Sequence, residues 1–156
     1  MLSILLTVVV RSLLVMLFLP FSALDKILNP NEAVDQAAKA VGPRWAATLL
    51  IFFGFGIEVM MSLAILTGKA DRLAAFILAA YCLVTAMLWK QFWKSPDFRL
   101  RGASRGREIF WDFLKNVALA GGFLLLAFGS NAARVPDLWN HPFASTHPYS
   151  VSDYEH

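Results

Sequence analysis

The chain has one cysteine, Cys82, in 156 residues. A lone thiol excludes an internal dithiol and any cluster held by several thiolates. Histidine is nearly as scarce: His141, His147 and His156 all lie in the last sixteen residues. No apolar segment can therefore supply the axial imidazoles of a membrane haem. Two of these histidines in a proline-containing tail, without a carboxylate at ligand spacing, are a weak basis for a metal site. There is no glycine-rich phosphate loop and no nucleophile–base constellation. Charge is sparse too, at 16% Asp, Glu, Lys and Arg against 58% hydrophobic residues. That balance excludes an ordinary soluble domain and leaves a membrane protein with no redox centre of its own.

A membrane helix needs about 20 mostly apolar residues to cross about 30 Å of hydrocarbon. Four runs meet that length, at 2–24, 45–67, 73–92 and 109–129. The first is longer than the core of a secretory signal, Arg11 interrupts it, and Phe21 stands where cleavage before Ala23 would want a small side chain. It is expected to stay as a span. The pattern predicts an all-α fold: a transmembrane four-helix bundle with a short surface helix after span one. Residues 1–130 form the membrane domain and 131–156 a polar extramembrane tail, extended or disordered if left free. In that tail Trp139 has the chemistry of an interfacial anchor.

Nine basic residues, Lys26, Lys39, Arg44, Lys90, Lys94, Arg99, Arg101, Arg105 and Arg107, fall in the two long loops, against Lys69, Arg72 and Arg134 on the other side. The positive-inside rule then places the long loops in the cytoplasm and both termini outside, as in a bacterial inner membrane. The basic stretch at 95–108 reads as a solvated loop that fixes topology. Its sharper reading is an anionic-lipid patch, and no stacking platform supports nucleic acid. In the first loop Asn29 or Asn31 is placed to cap a short helix, with Glu32 and Asp35 in its first turns and Gly42-Pro43 ending it.

The stretch FGFGIEVMMSLAILTG, 53–68, holds one ionisable residue, Glu58. Counting helical rise puts Glu58 and Arg11 near the same depth on adjacent antiparallel spans. Arg11 shares a helical stripe with Ser22 and Asp25, and Glu58 shares one with Gly54 and Ser62. A lone charge at that depth costs several kcal/mol, about 3 on insertion scales. Two readings follow: an Arg11–Glu58 pair that holds the spans in register, or a protonatable Glu58 in a ligand cavity. Lys115 and Asn116 form a second polar point, with Lys115 able to pair with Asp112, reach Asp25, or snorkel to the interface. Tyr81 and Thr85 line a face that either joins such a cavity or packs in the core.

Arg11 with LLVMLFLPFSALDKIL at 13–28, Pro43, and EVMMSLAILTGKADRLAA at 58–75 carry a family likeness. On these residues the chain resembles the DoxX family of small four-span membrane proteins, up to about Gly129. The family pattern falls on Arg11, Lys26, Glu58, Gly68 and Arg72. Where the family tends to glycine, this chain has Ser22-Ala23 and Met61-Ser62, which narrows the space between spans one and two. The resemblance implies a quinone-docking or anchoring subunit of a membrane-associated redox complex, as in quinone-linked oxidoreductases such as thiosulfate:quinone oxidoreductase. A soluble redox partner or a homo-oligomer and a non-covalently held quinone are the implied associates. The alternative is a small carrier or a non-catalytic assembly protein. Spans two to four have no interior proline and the halves show no repeat, which ranks transport lower.

Overall fold

The computed structural model describes residues 1–129 and 135–150, and all regular elements among them are helical. Among the described residues four helices are long and apolar enough to cross a membrane, at Leu2–Leu28, Arg44–Thr67, Asp71–Lys94 and Arg105–Phe128.

Span one is not a single rod. It consists of α1 (Leu2–Val15), a wide stretch at Leu17–Ser22, and α2 (Ala23–Leu28). Leu19 leaves helical geometry, at φ −122° and ψ 110°. The cause is Pro20, whose ring crowds the helical conformation of the residue before it and which has no N–H to donate. The bend turns α2 relative to α1.

The loop that follows is mostly helix. α3 (Pro30–Val41) begins with proline at its first position, where a missing N–H costs nothing, and stops at Gly42 with φ +86°. Asn29 takes the N-cap position, but its amide donates to Asp25 Oδ1 at 2.9 Å rather than capping the helix. Val34 and Ala37 of α3 are buried against Ala47, Ile51 and Trp89. α4 (Arg44–Thr67) ends at Gly68 with φ +74°, and a tight turn through Ala70 starts α5 (Asp71–Trp89).

α6 (Arg105–Phe128) starts four residues earlier than the apolar run alone indicates. Ser104 Oγ accepts from Arg107 N–H, and Asp97 accepts from the N–H groups of Arg105 and Gly106 at 2.8 and 3.1 Å. These are the donors that a helix start leaves without partners. Asp97 is held below the ordinary carboxylate range: its bond from Ser95 acts first, and with the two N–H groups it outweighs the opposing effect of desolvation. The loop is thus folded around the helix start. Phe98 packs with Phe92 and Phe110 at ring separations of 5.0–5.8 Å. Gly106 has no room for a side chain, since a Cβ there would lie 2.7 Å from Phe98 Cα.

The core lies between α5 and α6. Ala74, Ala75, Ala79 and Cys82 of α5 meet Ala120, Phe123 and Ala127 of α6, with Val15, Phe18 and Ile65 closing the sides. Small side chains bring the backbones together, which is how helices associate where lipid removes the hydrophobic drive. Large apolar residues such as Leu6, Phe52, Met60 and Leu125 face outward, as a lipid-facing surface requires.

The tail departs from the expectation of an extended or disordered segment. α7 (Val135–Asn140) buries Leu138 and sets Trp139 edge-on to Phe76 at 6.1 Å. Residues 141–150 then fold back over the end of the α4–α5 hairpin, where Tyr149 donates its hydroxyl to Leu66 O. Arg134, counted among the basic residues, and His156 lie outside the described residues.

Candidate functional site

Among the described residues the bundle holds two buried ionic clusters. In the first, Lys26 Nζ donates to Glu58 Oε1 and Oε2 at 2.8 and 2.7 Å and to Ser22 Oγ at 2.7 Å. All three ammonium donors are used. Tyr81 adds its hydroxyl to Glu58 Oε1 at 2.7 Å. Gly54 leaves space for it: a Cβ there would stand 3.0 Å from Tyr81 Oη. Three spans therefore meet at one carboxylate that is 2% exposed.

The second cluster is built on Arg11. Its guanidinium donates to Ile65 O at 2.6 Å, to Asp71 Oδ2 at 2.7 Å and to Thr146 Oγ at 2.7 Å. Thr146 in turn donates its N–H to Asp71 Oδ1 at 2.9 Å and its hydroxyl to Asp71 Oδ2. Arg72 approaches Asp137 at 3.7 Å beside it. Gly68 accommodates the tail above, since a Cβ would come within 2.8 Å of Pro148.

The expected Arg11–Glu58 pair is corrected by this arrangement: each charge has a different partner. Arg11 stands level with Ile65, seven residues beyond Glu58 and so roughly 10 Å further along α4. Depth counted from span ends takes span one as straight and ignores reach. Its bend at Leu19 and the four-carbon stem of Lys26 bring Lys26, not Arg11, to the carboxylate.

The other predicted polar residues divide between the two ends. Ser22, Lys26, Tyr81, Thr85 and Asn116 border one cavity, where Thr85 Oγ bonds Cys82 O at 3.0 Å. Ser62 is fully buried with its hydroxyl unpartnered. Gly68 and Arg72 belong to the Arg11 end. Asp25 also lines this cavity but is exposed and meets neither Arg11 nor Lys115. Lys115 is 75% exposed and pairs with Asp112 at 3.3 Å, so it is an interface residue and not part of a second buried point. Asp71, Thr146 and Tyr149 were missed. Asp71 carried a usable signal, a carboxylate in the first turn of a span, at the positive end of the helix, in a chain with an Arg to match. Thr146 and Tyr149 carried none.

The cavity measures about 590 Å³ and lies between α2, α3, α4 and α5. Its walls are mainly apolar, with Ile51, Ile57, Ile77 and Leu88 among them, and Lys26 and Tyr81 present the polar edge. Glu58 stands behind that edge. Phe53 and Val84 also line it and are 69% and 54% exposed, so it opens on the flank between α4 and α5. Both lining cations are already paired, Lys26 with Glu58 and Lys90 with Asp112 at 3.2 Å, and Asp25 and Glu32 add carboxylates to the border. The shape and polarity are those of a small-ligand site, apolar with a few convergent polar groups. They favour a neutral amphiphile with hydrogen-bond acceptors over an anion. Among the described residues no three His, Cys, Asp or Glu side chains gather as metal ligands.

A family model described as DoxX matches residues 6–91, more than half of the chain. The match includes Arg11, Lys26, Glu58, Asp71 and Tyr81 and stops before α6, short of the Gly129 limit drawn from sequence. No curated protein and no solved structure matches the chain.

Proposed function

We propose, from the premise that this chain belongs to the DoxX family, that it is an integral membrane protein that docks a quinone beside Lys26, Glu58 and Tyr81. In this reading it is the membrane subunit of a redox complex, in the bacterial inner membrane, with its basic loops toward the cytoplasm. The redox centre belongs to a soluble partner.

The observation that carries the reading is a buried acid–base cluster on the wall of an apolar cavity that is open to lipid. A quinone, when bound, supplies a carrier of paired electrons and protons. The residues present fit its neutral ring and carbonyl oxygens. Lys26 borders the cavity and can turn one N–H from Ser22 to an acceptor without leaving Glu58. Glu58 holds the ammonium in place and can keep a proton close to that acceptor. Tyr81 fixes the orientation of Glu58, and the gap between Phe53 and Val84 leaves an isoprenoid tail a way into the bilayer.

The test is equilibrium binding of decylubiquinone to the purified protein in nanodiscs, with mass spectrometry of co-purifying polypeptides and quinone. One site, weakened at least tenfold by the matched Lys26→Met/Glu58→Gln change, supports the reading. A folded wild-type protein that binds no quinone and carries no redox polypeptide overturns it and leaves a carrier or assembly protein.

A further inference from the structure

Beside the cavity lies a second hollow of about 600 Å³, of opposite character. It is a cleft between α3 and the junction of α5 with α6, lined by Glu32, Asp35, Gln36, Lys39, Gln91 and Arg105. These side chains belong to the face that carries the basic loops, and Glu32, Asp35, Gln36, Lys39 and Arg105 are exposed. The cleft and the cavity share part of their lining. Glu32, Gln36, Leu88 and Trp89 border both.

We infer that the cleft is the aqueous mouth of the cavity, through which water and small hydrophilic solutes reach the Lys26–Tyr81 edge from the basic-loop face. The assignment of the ligand as a quinone rests on the proposed function; the doorway itself does not. The two openings then divide the work by polarity. The flank between Phe53 and Val84 faces lipid and suits an apolar molecule, while the cleft is walled by groups that hold water at low cost.

Three features give the doorway its form. α3 is the lintel: Val34 and Ala37 are packed down on Ala47 and Trp89, which leaves Glu32, Asp35, Gln36 and Lys39 turned to the cleft. Opposed charges border the hollow, so it has no strong preference for either sign and suits water more than a single ion. The shared residues are of both kinds, polar Glu32 and Gln36 and apolar Leu88 and Trp89, as a passage from a polar cleft to an apolar cavity requires. A proton exchanged at a ligand beside Lys26 therefore has a route to bulk water that does not cross the hydrocarbon layer.

Cysteine labelling in proteoliposomes tests this, because the single native thiol can be removed as Cys82→Ala. In that background Gln36→Cys reports the junction, Ala80→Cys the cavity wall, Gln91→Cys the cleft and Met60→Cys the lipid surface; Arg101→Cys marks the basic-loop face. The probe is the membrane-impermeant reagent methanethiosulfonate ethylsulfonate, added to one side at a time. The expected result is reaction of Gln36→Cys and Ala80→Cys from the side that labels Arg101→Cys, with Met60→Cys inert. Adding Gln36→Trp should slow Ala80→Cys at least tenfold and leave Gln91→Cys unchanged. Reaction of Gln36→Cys with an inert Ala80→Cys overturns the proposal, as does labelling of Ala80→Cys from the opposite face or indifference to Gln36→Trp. Decylubiquinone separates the two claims. If it fails to protect an Ala80→Cys that labels through the cleft, the quinone reading falls and the doorway stands.

Discussion

The two ionic clusters use the same kinds of group to opposite ends. Around Arg11 the charges are closed in: Asp71 has no exposed surface, Arg11 has 3%, and the tail lies over both through Thr146. Around Glu58 only the carboxylate is buried, while Lys26 keeps 14% of its side chain exposed at the edge of a cavity. A sealed pair has nothing left to offer a ligand, whereas an ammonium at a cavity edge can exchange one partner for another. Burial of charge is thus a poor guide to function here. What separates the clusters is whether a member reaches open space.

The sharpest way to break this contrast is Arg11→Met. It leaves Asp71 buried without its ion-pair partner, and a loss of about 3–5 kcal/mol is expected from thermal unfolding in detergent. The matched Arg11→Met/Asp71→Asn protein should recover most of that loss, and its failure to do so would show that the cluster does more than balance charge. Next in size, Thr146→Val removes a hydroxyl that both accepts from Arg11 and donates to Asp71. It should cost about 1.5–3 kcal/mol and raise hydrogen exchange in α7, with quinone binding unchanged within twofold.

Glu58→Gln should reverse that pattern. Lys26 can turn toward the cavity and water, so stability should fall by about 1–2 kcal/mol while quinone affinity drops at least tenfold. Equal losses of stability for Glu58→Gln and Arg11→Met would erase the distinction between the clusters. The smallest effect belongs to Asp97, outside both. Its carboxyl is held below the ordinary value of about 4. A lowered folded-state value contributes stability that is fully present above the unfolded value and is lost as pH falls through the folded one. The melting temperature gap between wild type and Asp97→Asn should therefore be constant above about pH 5 and close below about pH 4. A gap that persists at lower pH would mean that shape, not charge, holds the start of α6.

The spans were legible because each is a long apolar run, and the end of α4 because Gly68 stands where the chain needs a positive φ. The importance of Arg11, Lys26 and Glu58 was legible too, since charge within such runs is costly and rarely idle. Their partners were not. Periodicity gives the face of a helix, and residue counting gives depth only along a straight one; the bend at Leu19 defeats the second. Asp71 could have been found, since a carboxylate in the first turn of a span needs a partner and Arg11 was there to match, but its place next to a turn makes it look solvent-exposed. Thr146 was hidden by its distance. Nothing in a polar tail indicates which of its hydroxyls will settle between two charges set down by other parts of the chain.

That distance bears on how the protein is made. Arg11 and Thr146 are separated by 135 residues, so the ribosome finishes one long before the other. Chains emerge at roughly 5–20 residues per second; Arg11 waits first for Asp71, 60 residues on, and the pair then waits through 75 more for the lid that completes it. The four spans can be inserted and still be unfinished. The last step of assembly is then the delivery of a short hydrophilic segment to the face where the chain began, and a failure of that delivery would leave a bundle with four inserted spans and an open end.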